Sequence, residues 1–523
     1  MQQVLATIQG LKLSKYLHEE HVPKKFESKE YEEVGSITRC LAPCIDISTN
    51  PHKDGWFGAI MADLEKISSL LCVSDSCEGF VPQNTHPMTT RAKPGVFKLK
   101  TYASYKEGSY DHTIEPHIVK EAMAKPEWLK AMKEEHDALI QNDTWSLVDP
   151  PPGCKPIGCK WVFKSKFNAD GSFQRHKARV VAKGYHQREG FNFKETFSPV
   201  IKPATIRTVM SLVVSQQWPI HQVDINNAFL HGGLQETVYM TQPPSFVSSD
   251  KHEVCKLLKA LYGLKQAPRS WFHKLSLTLR SLRFNSAKSD TSLFMRFTPT
   301  SKTYVLVYVD DIIITRSSSS EITSLISHLN NKFSLMDLGP LHYFLGIEVK
   351  HYSDGGILLS QSKYIIDLLH KTNLLDSKSQ PTPMVSGLKL TIDGSFSVQD
   401  PTHYRSIVRA LQYIIVIRPE ISFSVNKVCQ FMHRPQEHHW RAVKRILRYL
   451  QGSITYGLHI KPSPQLHIMG FCDSDWGSDP DDRKSTTSYC VYLGPNLVSW
   501  SSRKQVVVSR SSTEAEYRTC FSK

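Results

Sequence analysis

Apolar runs broken by acids mark two places in this chain. Val223-Asp-Ile-Asn-Asn-Ala-Phe-Leu230 reads as a strand, and Leu306-Val-Tyr-Val-Asp-Asp-Ile-Ile-Ile314 reads as two buried strands turning at Asp310-Asp311. Between Lys160 and Lys183, Trp161, Phe163, Phe167 and Phe173 interleave with basic residues. Around Asn168-Ala-Asp-Gly171 this pattern predicts a β-hairpin with one apolar and one cationic face. A helix is expected from Pro126, a good first-turn residue, with Trp128, Met132 and Leu139 on one face and a stop by Asn142-Asp143. Ala204 to Gln217 reads as helical, Glu253 to Phe284 as a turn followed by a helix, and Ser317 to Ser320 as a loop. His438 to Gln451 predicts an amphipathic helix: Val443, Ile446, Leu447 and Leu450 form the stripe, and Arg441, Lys444, Arg445 and Arg448 ride beside it. Strands resume around Leu466 to Phe471 and Ser488 to Leu493. Residues 1–45 suggest a short helix and a Lys/Glu-rich segment, and 46–117, rich in Pro, Gly, Ser, Thr and Lys, read as a disordered linker.

The acids change the picture first. No Lys or Arg lies within the 306–314 run to pair with them, and an unpaired carboxylate in a strand-rich interior costs several kcal/mol, roughly. Divalent cations are the natural partners. Hard oxygen ligands from both segments, Asp224 and Asp310 with Asp311, suit a pair of Mg²⁺ ions about 3.5 to 4 Å apart. Charge comes next. The chain has 523 residues, enough for about three domains, and 64 Lys plus Arg against 49 Asp plus Glu give +15, which favours a polyanionic partner. From Lys160 to Lys183 the basic residues are Lys160, Lys164, Lys166, Arg175, Lys177, Arg179 and Lys183, and Asp170 is the sole acid. Eleven cysteines show no disulfide rhythm, which points to a reducing compartment; the close pairs Cys40/Cys44 and Cys154/Cys159 lack second pairs at zinc-finger spacing and read as structural. No apolar run approaches 18 residues and no signal peptide is visible, so a soluble, intracellular, non-secreted protein is expected.

Over roughly residues 86–523 the chain resembles the Pol polyprotein of copia-type LTR retrotransposons, especially those of plants. The matching stretches include Asn142-Asp-Thr-Trp-Ser-Leu-Val148, Lys160-Trp-Val-Phe-Lys164, Lys177-Ala-Arg-Val-Val-Ala-Lys-Gly-Tyr185, Glu195-Thr-Phe-Ser-Pro-Val200, the Asp224 run, Ala260-Leu-Tyr-Gly-Leu-Lys-Gln-Ala-Pro-Arg-Ser-Trp271, Tyr308-Val-Asp-Asp311, Tyr343-Phe-Leu-Gly-Ile-Glu348 and Ser511-Ser-Thr-Glu-Ala-Glu-Tyr517. The resemblance implies an α+β fold: reverse-transcriptase fingers, palm and thumb over 118–385 with a ferredoxin-like palm, a connection over 386–465, and an incomplete RNase H-like α/β module over 466–523. It implies an RNA-directed DNA polymerase working by two-metal nucleotidyl transfer, with Mg²⁺ or alternatively Mn²⁺ as cofactor, and an RNA template, DNA primer and dNTPs as partners. Asp224 and Asp310 would be the principal metal ligands and Asp311 the third catalytic acid. Lys177, Arg179 and Lys183 are candidates for gripping the triphosphate, by forked hydrogen bonds or point charge. Phe229 would be a sugar gate, with a core aromatic as the alternative. Gly263, Lys265 and Gln266 belong to the loop supporting template base and nucleotide, and Arg269 is read as a structural ion-pair partner or part of that loop. Tyr308 would pack under the primer terminus or simply in the core. The family's cytoplasmic particles, and the nucleus, are the expected locations; oligomeric state is left open.

The sequence also departs from the family pattern. Asp473 in Phe471-Cys-Asp-Ser-Asp-Trp476 and Glu516 match RNase H-like acids, with Asp475 expected on the same strand face. The chain ends at Lys523, so no ribonuclease H activity is expected of it. No Asp-Ser/Thr-Gly protease triplet or integrase-type His/Cys knuckle is visible, and the first 30 or so residues resemble a gag segment. Arg409 stands where the family has glycine and Glu420 where it has aspartate, which questions the packing of the connection. The competing expectation is an inactive relic that at most binds nucleic acid.

Overall fold

The computed structural model describes residues 115–167, 172–250, 252–317 and 320–521. The gag-like remnant, nearly all of the linker, Cys40/Cys44 and the hairpin turn at 168–171 lie outside the described residues. Along the chain run α1 (Val119–Met123), α2 (Pro126–Gln141), β1 (Trp145–Val148), β2 (Cys159–Phe167), β3 (Phe173–Ala182), α3 (Pro203–Ser215) and β4 (Ile220–Ile225). Next come β5 (Gly233–Met240), β6 (Val254–Lys259), α4 (Ala267–Ser281), β7 (Asn285–Ser286), β8 (Leu293–Phe297), β9 (Lys302–Tyr308), β10 (Asp311–Arg316), α5 (Ser320–Asn330) and β11 (Leu335–Pro340). The rest comprises β12 (Tyr343–Phe344), β13 (Ile347–His351), β14 (Ile357–Ser360), α6 (Ser362–Lys371), α7 (Pro401–Ile414), α8 (Ser422–Cys429), α9 (Glu437–Gln451), β15 (Gly457–Ile460), β16 (Ile468–Ser474), β17 (Thr486–Leu493), β18 (Asn496–Lys504) and α10 (Ser512–Phe521). These fall into two compact units, one of residues up to 198 with 227–275, the other of 199–226 with 276–521.

The first unit holds the β2-β3 hairpin and a three-stranded sheet ordered β1-β6-β5. Its helix α2 begins at Pro126 and is capped at Asn142, whose side-chain amide donates to Ala138 O at 2.8 Å. Trp128, Met132 and Leu139 are buried as the 3.6-residue period requires, and Trp128 meets Phe163 of β2 edge-on at 5.5 Å. The expected turn and helix after Glu253 are preceded by a strand, β6, which pairs with β1 more than a hundred residues earlier.

The second unit is built on a six-stranded sheet ordered β11-β4-β10-β9-β8-β7, with every recorded pairing antiparallel. Helix α3 is buried along most of its length, including Ile206, Val209, Met210, Val213 and Val214, so it is a core helix with no wet face of its own. It packs on β18, and one apolar core runs from Ile201 through Leu306 and Ile313 to Leu497. A second core joins α6, α7, α8 and α9. In α9, Val443, Ile446, Leu447 and Leu450 are fully buried, as expected. Its basic edge is divided: Arg445 donates to Gln380 and Thr382, and Arg448 to the Lys378 carbonyl, so these two tie down the preceding segment. The family departures are accommodated here. Glu420 forms a buried ion pair with Arg418, which also donates to the Ser453 carbonyl and hydroxyl, and Arg409 lies exposed on α7. No described helix is long and apolar enough to cross a membrane.

Candidate active site

Strands β9 and β10 pair with Tyr308 opposite Asp311, so the two-residue turn is Val309-Asp310, one residue earlier than the expected Asp310-Asp311, and Asp311 opens β10. Such a turn needs positive φ, and Val309 supplies it at 56°. A β-branched side chain is strained there by about 1–3 kcal/mol, so the turn is held by the strands on either side rather than by its own preference. On the other side of β10 lies β4, with Asp224 directly opposite Asp311. Residues opposite one another in an antiparallel pair project from the same face, so the two carboxylates share one side of the sheet. The Ile225 N–H donates to the Asp310 carbonyl at 3.1 Å, fixing the turn to β4. Segments about 85 positions apart thus converge.

The electrostatics follow from that convergence. Burial pushes the Asp311 carboxyl up, Asp310 and Asp224 push it further, and it titrates at about 6 even though Gln222 donates to it at 3.5 Å. No cation features among the groups acting on it. Among the described residues no three His, Cys, Asp or Glu side chains form a ready cation cage. A Mg²⁺ site does not require one: that ion keeps several waters and is held by one or two carboxylates plus substrate phosphate. The donor set, all hard carboxylate oxygen, fits such an ion.

The basic residues gather in the other unit. Registry of Trp161 with Val180 and Phe163 with Ala178 puts Cys159, Trp161, Phe163, Ala178, Val180 and Ala182 on one buried face of the hairpin. Lys160, Lys164, Lys166, Arg175, Lys177 and Arg179 take the opposite face by the two-residue period. Trp161 and Phe163 take the packing face as the sequence predicts, whereas Phe167 is 45% exposed and Phe173 only half-buried, past a register shift at Lys166/Phe167. Burial lowers the Lys177 pKa, and Arg179 and Arg175 lower it further. Behind them Glu135 of α2 is buried; desolvation raises its pKa despite a hydrogen bond from the Val180 backbone. Lys183 lies half-buried just after β3, with its N–H on the Gly158 carbonyl at 2.7 Å.

The loop after β6 packs backbone to backbone against the end of β3. Ala182 N–H donates to Tyr262 O at 2.7 Å, Gly263 has φ 88°, and a Cβ on Gly263 would stand 2.2 Å from the Ala182 carbonyl. Only glycine serves there. Gln266 is 1% exposed: its Oε1 accepts from Gln187 at 2.9 Å and its amide donates to Asn192 O at 2.8 Å. Lys265 is exposed with its ammonium 4.5 Å from the Phe193 ring centre, and Arg269 pairs with Glu195 at 3.0 Å. Phe229 lies in a 3₁₀ turn, half-buried, edge-on to Tyr262 at 5.2 Å, and Arg179 covers the Tyr262 ring at 4.5 Å. Sequence reasoning missed Gln222, Glu135, Gln187 and Tyr262. The signal for Gln222 was its place two residues before Asp224, on the same strand face.

A second acidic group sits on β16 and α10. Asp473 is half-buried; desolvation raises its pKa, Ser474 opposes through a backbone hydrogen bond, and Glu516 and Asp475 raise it again. Asp475 lies beyond the strand end, and its oxygens accept from Thr486 N–H at 2.7 Å and Ser478 Oγ at 2.6 Å, so it serves the loop.

Residues 142–386 match the family described as reverse transcriptase (RNA-dependent DNA polymerase), so the chain carries a domain of that class. It is 48% identical over 440 residues to the Retrovirus-related Pol polyprotein from transposon RE2 of Arabidopsis thaliana, covering 84% of this chain and 30% of that protein. Identity to the Retrovirus-related Pol polyprotein from transposon TNT 1-94 of Nicotiana tabacum is 40% over 445 residues, 82% of this chain and 33% of the relative. A transposon Ty5-1 protein of Saccharomyces cerevisiae is 33% identical over 300 residues, 57% of this chain and 97% of that protein. The chain belongs to the copia-type retrotransposon Pol polyproteins. It spans 30% and 33% of the length of these two plant Pol polyproteins.

Proposed function

We propose that the chain is an RNA-directed DNA polymerase that extends a primer 3′-hydroxyl with dNTPs on an RNA template. The observation that carries this reading is the registry of Asp224 with Asp311 beside the Asp310 turn, which sets carboxylates from two distant segments on one face of a sheet. In this reading the acid-bearing sheet is a ferredoxin-like palm, the hairpin unit supplies fingers, and the thumb extends to about residue 385. Residues 386–465 are then the connection and the remainder an RNase H-like module whose acids are Asp473 and Glu516.

Asp224 and Asp310, with Asp311, would hold Mg²⁺ or Mn²⁺. Such ions lower the pKa of the primer hydroxyl and neutralise charge on the departing pyrophosphate. The protein's own part is positioning. The strained turn keeps Asp310 and Asp311 fixed beside Asp224, and Tyr308, opposite Asp311, offers a ring for the primer end. On their own unit, Lys177, Arg179 and Lys183 present charge for a triphosphate. Gly263 allows close backbone approach, Lys265 adds an exposed cation, and Gln266 holds the loop from within rather than touching nucleotide. Phe229 excludes a ribose 2′-hydroxyl by bulk.

The test is primer extension on RNA with dNTPs and Mg²⁺. Asp310→Asn should abolish extension and leave RNA binding nearly intact, because phosphate contacts come from the basic surface. Normal extension by that variant would remove the acids from the mechanism.

A further inference from the structure

We propose that Tyr262 is a positioning residue for sugar selection: braced by Arg179, its ring holds the Phe229 ring where a 2′-hydroxyl would have to pass. This rests on the polymerase reading above. The backbone under Phe229 is already fixed. Leu230 N–H donates to Asn227 O at 2.9 Å, Gly232 N–H to Phe229 O at 3.0 Å, and Ala228 and Leu230 are buried on either side. Gly232 packs so tightly that a Cβ would stand 2.8 Å from the Trp271 nitrogen. What remains adjustable is the orientation of the Phe229 ring, and the edge-on contact at 5.2 Å with Tyr262 constrains it.

Tyr262 is itself held from two directions. Its carbonyl accepts from Ala182 N–H at 2.7 Å, next to the Gly263 backbone that no side chain could join. Its ring face lies under the Arg179 guanidinium, 4.5 Å from the centroid. Arg179 stands on the cationic face of the hairpin, among the groups that would meet a triphosphate. A cation on the tyrosine face and a phenylalanine edge-on to the same ring therefore form one contiguous row, and the hold on phosphate reaches the sugar gate through Tyr262.

The measurement is kcat/KM for dATP and for ATP on the same primed RNA, with wild type, Tyr262→Leu and Tyr262→Phe. The leucine variant should lose about tenfold of the preference for dATP, as much as one aromatic pair can impose, with most of the change in KM for ATP. The phenylalanine variant keeps ring face and edge and should retain the wild-type preference. A residue that merely supports the fold would lower both substrates together, so an unchanged ratio in Tyr262→Leu overturns the inference alone. If that variant is insoluble, Tyr262→Met fills the space without a ring and is held to the same ratio. A wild-type chain that incorporates neither nucleotide overturns the polymerase reading and this inference with it.

Discussion

Asp311 shows how a single residue can be kept at odds with the fold around it. Its folded carboxyl titrates at about 6, above the ordinary aspartate value. Between about pH 4 and 6 the folded chain therefore retains a proton that the unfolded chain has released, so stability falls as pH rises through this window and stays lower above it. In metal-free buffer Asp311→Asn should melt higher than wild type at pH 7.5, by about 2 °C after allowance for solvent screening, and should show no such gain at pH 3.5. Adding Mg²⁺ should raise the wild-type midpoint and narrow the gap. Equal midpoints at pH 7.5 would mean the carboxylate is not under strain. The acids were legible in the sequence because apolar, β-branched neighbours put Asp224 and Asp311 in strands and Asp310 in the turn between two of them. The strained φ of Val309 was not legible, since residue type argues against it there. Nor was the loop role of Asp475, which depends on Thr486 and Ser478 arriving from the next strand and turn.

Among the elements, the hairpin and helix α9 both carry basic stripes, and their surroundings separate them. Lys160 and Lys166 on the hairpin are exposed, whereas Arg445 and Arg448 on α9 are already bonded to residues 378–382. Replacing Lys160 and Lys166 together by alanine should reduce the salt slope of RNA binding by about 1 to 2. Replacing Arg445 and Arg448 should lower the melting temperature and leave that slope in place. A hairpin variant with an unchanged slope would take nucleic acid away from this face. The long periodic elements were readable in advance: α2, α3 and α9 fell within a residue or two of their expected limits. Strands β1, β5 and β6 were not: β1 has four residues and takes its ladder partner β6 from more than a hundred positions on, and the β5-β6 ladder is interrupted by a register shift. Period alone could not choose between strand and helix for them.

For the larger, acid-bearing body, the consequence lies in how its two ends share a core. Arg207 of α3 is 6% exposed; it donates to the carbonyls of Val498 at 2.7 Å and Val416 at 2.6 Å, and stacks on Trp500 at 3.8 Å. Burial lowers its pKa to about 9, still charged at neutral pH, so those carbonyls must stay in place to solvate it. Removing residues 466–523 should take away the Val498 carbonyl and the Trp500 ring, leave Val416 as the remaining acceptor of the two, and bare the apolar side of α3. We expect the shortened chain to aggregate, or to melt at least 10 °C lower, roughly; a soluble, equally stable product would show the tail to be an independent module. The order of motifs made the class of protein readable, but nothing near residue 207 announces a partner 291 positions away. Exchange of tails between related elements is constrained accordingly: a foreign strand grafted in place of β18 must offer its carbonyl to this guanidinium, so helix and strand have to travel together for a chimera to fold.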